Sequence, residues 1–218
     1  MSETRPVVYV VDDDAPFLVA VARLLRAAGY TVQTFASAAE LLAELLAGQG
    51  DTAGCVIADL RMPGMSGLDL QQALLREGCG LPVIFLTGAG DIPTSVRAMR
   101  QGAEDFLTKT ASKEDLLAAV DRALARDARQ RAEASQLRTL QARIATLTPR
   151  ELAVLRQVVE GRLNKQIAAD LGIGERMVKL HRTAITTKLQ VRSVADLTRL
   201  VQAAGSCDEC PQNFPKGK

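Results

Sequence analysis

The feature that most limits how this chain can fold is a set of short apolar runs, each closed by a polar residue. "VVYVV" (7–11), "CVIA" (55–58) and "PVIFLT" (82–87) are nearly unbroken, and "DFLTK" (105–109) is a weaker example. Short runs without polar alternation are the mark of strands buried on both faces, which requires helices on both sides of a sheet. Helical spacing lies between them: Phe17, Val21, Leu24, Leu25 and Ala28; Leu41, Leu42, Leu45 and Leu46; Leu70, Ala73 and Leu74; Val96 and Met99. With "TVQTF" (31–35) as a fifth strand, the pattern predicts an α/β doubly wound five-stranded parallel sheet. Ligands of such sheets sit outside the carboxyl ends of the strands.

That edge collects the reactive residues. Asp12 and Asp13 close the first run, Asp59 closes "CVIAD", Thr87 closes "VIFLT" and Lys109 closes "DFLTK". Three carboxylates in one crevice repel one another unless a cation sits among them. Oxygen-only ligands favour a hard ion such as Mg²⁺, which keeps waters and leaves a position for a phosphate oxygen. Asp59 is then the expected nucleophile toward a phosphoryl group, with Thr87 and Lys109 gripping the transferred oxygens. Asp14 precedes Ala15 and Pro16 at a helix start, so it is expected to cap that helix and to take no part in metal binding. A phosphatase built on a strand-end aspartate would want a second acid two residues on, where Arg61 stands. The expectation is therefore a protein that is not an enzyme.

Length and composition set the frame. At 218 residues with 47% apolar content, two domains with real cores are expected. The sequence has no run near the ~18 apolar residues of a membrane span and no signal pattern at its start, so a soluble cytoplasmic protein is expected. The four cysteines, Cys55, Cys79, Cys207 and Cys210, form no disulfide framework. The net charge of +2 hides a division: residues 1–125 carry net −6, residues 126–147 net +3 and residues 148–205 net +5. An acidic half tied to a basic half suggests a polyanion partner for the latter, although a merely solvated basic surface has the same charge.

The second half reads as helices. "SKED" (112–115) is a cap-like start followed by Leu116, Leu117, Val120 and Leu124; Leu137, Leu140, Ile144 and Leu147 then repeat at heptad spacing. Between them the chain is mostly charged residues and alanine, giving either one long helix or a helix with a mobile middle. The leucine stripe could pair two chains or pack on the following domain. From residue 148, Thr148 caps and Pro149 opens a helix that Gly161 ends; a second helix holds Ile167, Ala168 and Leu171. Across a turn at Gly172 a third holds Val178, Ile185 and Leu189, with Lys179, Arg182 and Lys188 facing outward. A short helix, a three-residue turn and a basic helix form the helix-turn-helix plan that presents a recognition helix to the major groove of double-stranded DNA.

Through "VVDDD", "DLRMPGMSGLDL", "FLTGAGDIP" and "GAEDFLTK", residues 5–125 resemble the receiver domain of two-component response regulators, a flavodoxin-like fold. The resemblance implies Asp59 as phosphoacceptor, Asp13 and Asp59 as direct Mg²⁺ ligands, Asp12 reaching the ion through water, and the backbone carbonyl of Arg61 as a further ligand. It also implies Phe106 as a switch residue that reorients with Thr87, and a sensor histidine kinase as phosphate donor. Thr110 stands where the family usually has a cis-proline after its lysine. Through "LTPRE", "GRLNKQIAADLGI", "MVKLHR" and "ITTKL", residues 147–204 resemble the LuxR-type (FixJ subgroup) DNA-binding domain. This second resemblance implies that Lys179, Leu180 and Thr183 reach base edges, while Asn164, Lys165, Arg176, His181, Arg182 and Lys188 contact phosphates or steady the helix. It further implies a last helix opened by Ser193, with a dimer-prone face of Leu197, Leu200 and Val201. Gly174 stands where a capping serine is usual and Met177 where threonine is usual.

The expected organisation is thus a receiver (5–125), a helical linker (126–146), a helix-turn-helix domain (147–204) and a disordered tail (205–218), whose Cys207 and Cys210 lack the further ligands a zinc site needs. The expected function is a DNA-binding transcriptional regulator that dimerises on phosphorylation. The rival reading is a receiver that never meets phosphate and serves as a constitutive dimerisation module.

Overall fold

The computed structural model describes residues 5–47, 53–88 and 102–191. They group into two compact units that divide between Arg131 and Ala132.

In the first unit, β1 (Val7–Val11), α1 (Ala15–Ala27), β2 (Thr31–Phe35), α2 (Ala38–Ala47), β3 (Gly54–Asp59), α3 (Gly67–Arg76), β4 (Val83–Thr87) and β5 (Asp105–Thr108) precede the long α4 (Lys113–Ala145). The strands form one parallel sheet in the order β2-β1-β3-β4-β5. Successive side chains of a strand point to opposite faces, so each apolar run feeds two cores. Val8, Val10, Cys55, Ile57, Ile84 and Leu86 pack with α1 and the first turns of α4; Tyr9, Val11, Val56, Ala58, Val83 and Phe85 pack with α2 and α3. The helix expected around Val96 and Met99 lies outside the described residues.

Helix α4 is tied down by polar contacts as well as by Leu116, Ala119, Val120 and Ala123. Tyr30 donates its hydroxyl to Asp121, Arg126 pairs with Glu104 at 2.9 Å, and Arg122 pairs with Asp105. The buried Asp127 accepts from the Gly54 N–H at 3.1 Å. Gly54 has φ +151°, and a Cβ there would lie 1.9 Å from the Val7 carbonyl oxygen, so only glycine fits this entry to β3.

The second unit holds the end of α4, α5 (Pro149–Val159), α6 (Asn164–Leu171) and α7 (Glu175–Leu189). Its core is Leu147, Val154, Leu155, Val158, Ile167, Ala168, Val178, Ile185 and Leu189, with Ile144 packed against it. One open reading closes here: helix α4 runs unbroken for 33 residues. Of the leucine stripe, the last two positions, Ile144 and Leu147, belong to this domain's own core. The expected last helix (Ser193, Leu197, Leu200, Val201) and the Cys207/Cys210 tail lie outside the described residues.

Thr148 opens α5 through a reciprocal cap: its hydroxyl accepts from the Glu151 N–H at 3.2 Å, and the Glu151 carboxylate accepts from the Thr148 N–H at 2.7 Å. The same carboxylate receives Lys188 Nζ from the end of α7 at 2.7 Å. These contacts, that from Lys188 first, hold the Glu151 carboxyl below its usual range. A carboxyl lowered on folding adds stability above its unfolded value, near 4.5, and loses it as the pH falls through the lower folded value. We expect the protection factors of α5 and α7 amides, the intrinsic exchange rate at each pH divided by the observed one, to fall as the pH drops below about 4.5, and Glu151→Gln to flatten that dependence while costing about 1 kcal/mol at neutral pH.

Candidate functional site

The parallel register delivers the reactive groups to one edge. Val11 is level with Phe35 and Ala58, so Asp12 and Asp59 leave neighbouring strands side by side; Thr87 is level with Thr108, which brings Lys109 next to them. The Lys109 N–H donates to the Thr87 carbonyl at 2.8 Å and fixes the lysine's backbone there. One oxygen from each of Asp12, Asp13 and Asp59 lies within 4.8 Å of the others. Lys109 Nζ stands 2.6 Å from Asp12 Oδ2 and 2.8 Å from Asp59 Oδ2. The peptide between Lys109 and Thr110 is trans, and the ammonium still reaches both acids.

Asp12 is 1% exposed, Asp59 8% and Thr87 1%, whereas Asp13 is open to solvent, so the cluster is sunk at its base and accessible at its mouth. Burial pushes the Asp12 carboxyl up, the Lys109 bond and charge and the Asp14 N–H pull it back, and Asp59 adds to the rise; the net shift is upward. Burial alone would lower the Lys109 ammonium, but its bonds to Asp12 and Asp59 and their charges outweigh that and raise it. Three carboxylates against one ammonium leave a negative site with an all-oxygen donor set. Asp12 Oδ2 is buried, and among the described residues its close polar contact is the Lys109 ammonium at 2.6 Å. Such a cluster suits a hard divalent ion that retains waters on its open side. The Arg61 backbone lies beside it, its N–H donating to Asp59 Oδ1 at 3.3 Å. Phe106 is half-buried on β5, one strand over from Thr87 on β4, and packs against the α2/α3 core.

Asp14 does cap α1, accepting from the Phe17 N–H at 3.1 Å, while its own N–H donates to Asp12 Oδ1 at 2.9 Å. Gly67 belongs to the site although its sequence position carries no reactive group. Gly67 starts α3 so close to β3 that a Cβ would lie 2.4 Å from the Asp59 carbonyl oxygen and 3.0 Å from the Phe85 ring. Ser66 caps that helix reciprocally with Asp69.

In the second unit, Gly172, Ile173 and Gly174 separate α6 from α7, with Gly172 left-handed at φ +63°. Val178, Ile185 and Leu189 face the core, leaving Arg176, Lys179, Leu180 and Thr183 exposed on the outer side of α7; Lys165 is exposed on α6. Arg176, Lys179 and Lys165 make no ion pair among the described residues. Leu180 is 56% exposed, an apolar side chain suited to a thymine methyl. Asn164 accepts from Arg182 at 2.7 Å, bracing α6 against α7, and His181 is half-buried. Lys188 is taken up by Glu151 and by the Thr146 carbonyl at 3.3 Å, so it steadies the helix. Gly174 caps α7 with no side-chain bond, and a Cβ there meets open space. We expect Gly174→Ser to slow amide exchange at the start of α7, a gain of about 0.5 kcal/mol.

Comparison with known proteins decides the family. Residues 8–121 match the model of the response regulator receiver domain, and residues 145–201 that of bacterial regulatory proteins of the luxR family. The chain belongs to the response regulators. This response regulator is 41% identical to nodulation protein W of Bradyrhizobium diazoefficiens, over 94% of its own length and 88% of that protein. It is 40% identical to the transcriptional regulatory protein FixJ of Azorhizobium caulinodans, over 94% and 95% of the two chains. Among solved structures it resembles the response regulator StyR, with a TM-score of 0.79 at 42% identity over 91% of the regulator and 99% of that chain. With a receiver domain joined to a LuxR-type DNA-binding domain, it is a regulator of transcription.

Proposed function

We propose that this regulator is switched by phosphorylation of Asp59 in the cytoplasm. A sensor histidine kinase supplies the phosphoryl group: the P–N bond to the kinase histidine breaks and a P–O bond forms to a carboxylate oxygen of Asp59. Asp12, Asp13, Asp59 and the Arg61 carbonyl would hold Mg²⁺, whose role when bound is to neutralise charge on the transferred oxygens. Lys109 and Thr87 take the remaining phosphoryl oxygens, and the movement of Thr87 draws Phe106 with it. Dimerisation through the face around residues 92–122, of which 92–101 lie outside the described residues, then sets two α7 helices on two half-sites of promoter DNA at once.

The protein turns over no external substrate in this scheme. The observation that carries the reading is the contact of Asp59 with Lys109 at 2.8 Å inside a cluster of three acids at the sheet's ligand-binding edge. No helix among the described residues is long and apolar enough to cross a membrane. The test is the mass of the full chain in solution and its affinity for promoter DNA, with and without beryllofluoride and Mg²⁺. A shift from monomer to dimer with at least about tenfold tighter DNA binding is expected; a chain already dimeric and unmoved in both measurements would favour the constitutive module.

A further inference from the structure

The Lys109 ammonium has a third neighbour besides its two acids: the ring of Phe17, 4.6 Å away at its centroid. The lysine's backbone is fixed, but its stem is a chain of rotatable bonds. The loop after it is held locally, by Ala111 N–H to the Thr108 carbonyl at 2.9 Å and by the hydroxyls of Thr108 and Thr110 at 3.1 Å. Neither contact touches the side chain. What aims the ammonium is therefore the pair of carboxylates and the aromatic face, and the carboxylates are the groups that a divalent ion would recruit. The ring is the one of the three whose hold survives that recruitment.

Phe17 is itself placed by Asp14, the acid outside the cluster of three. Asp14 caps the first turn of α1 through the Phe17 N–H, and Asp14 is tied in turn to Asp12. The contacts close a circuit from Asp12 through Asp14, Phe17 and Lys109 back to Asp12 and Asp59. We propose that Phe17 is a positioning residue whose ring face holds the Lys109 ammonium at Asp59, with Asp14 setting the ring. The inference rests on the phosphorylation reading for its purpose, but the contact can be tested apart from it.

Two measurements on the full chain test it. In protein carrying isotope-labelled lysine and no metal, the Lys109 Hε protons should show an upfield ring-current shift that Phe17→Tyr keeps and Phe17→Leu abolishes. Phe17→Leu should also weaken beryllofluoride binding by roughly 3- to 10-fold while Mg²⁺ affinity stays within about twofold. In a Lys109→Met background, Phe17→Leu should have no further effect. An Hε shift that persists in Phe17→Leu overturns the proposal, and so does an equal loss of beryllofluoride binding in the Lys109→Met background. Should the unsubstituted chain bind no beryllofluoride, the phosphorylation reading falls, and the Hε shift still decides whether Phe17 holds the lysine.

Discussion

Asp59→Asn is expected to slow phosphoryl uptake by a factor on the order of 10³ or more, with no compensating uptake elsewhere in the cluster. The amide lacks the nucleophilic oxygen, and Asp12 is poorly placed to replace it, being 1% exposed and engaged with Lys109 and the Asp14 N–H. The fold should be nearly untouched. Removing the charge loses the 2.8 Å ion pair with Lys109 but relieves repulsion among three carboxylates within 4.8 Å, and these oppose each other to within about 1 kcal/mol. Incubation with a small-molecule phosphoryl donor followed by intact-mass measurement checks the first part, and urea unfolding the second. Uptake that persists in Asp59→Asn would place the acceptor elsewhere.

Gly67→Ala is expected to destabilise the first unit by about 2–3 kcal/mol and to impair phosphoryl uptake as well. The added methyl would stand 2.4 Å from the Asp59 carbonyl oxygen, a backbone atom that cannot swing aside as a side-chain tip could. Either α3 backs away, opening the core around Leu70 and Leu74, or the end of β3 shifts and carries the Asp59 carboxylate off Lys109. Gly80→Ala is the control, since nothing lies within 4 Å of a Cβ there and its effect should stay within about 0.5 kcal/mol. Unfolding midpoints and uptake rates for the two variants separate a local clash from a general cost of losing glycine.

The contrast between Gly67 and Asp59 shows what the sequence can disclose. Asp12, Asp59 and Thr87 are legible because burial on both faces makes their strands continuous apolar words whose ends are marked by the first polar letter, and parallel pairing brings those ends together with Lys109, which follows the half-buried β5. The helix-turn-helix is legible for a similar reason: Gly172 and Gly174 punctuate a short neutral helix and a longer basic one. Gly67 is silent because nothing in its local spacing records how near β3 will pass. Lys188 reads as an outward cation from its helical position, yet its partner Glu151 lies 37 residues earlier and becomes its neighbour only when α5 packs on α7. Phe17 reads as one more apolar position of α1; its contact with Lys109 spans nearly the whole first unit. Local signals specify elements, and the contacts that tune a site are set by what the assembled elements bring near.

The most direct test of the account is to treat the full chain with a small-molecule phosphoryl donor, with and without Mg²⁺, and to map the product by peptide mass spectrometry. One phosphoryl group on Asp59, formed when Mg²⁺ is present and absent when a chelator removes it, is the predicted result. Phosphate on another residue, equal labelling without the metal, or no labelling at all would contradict it.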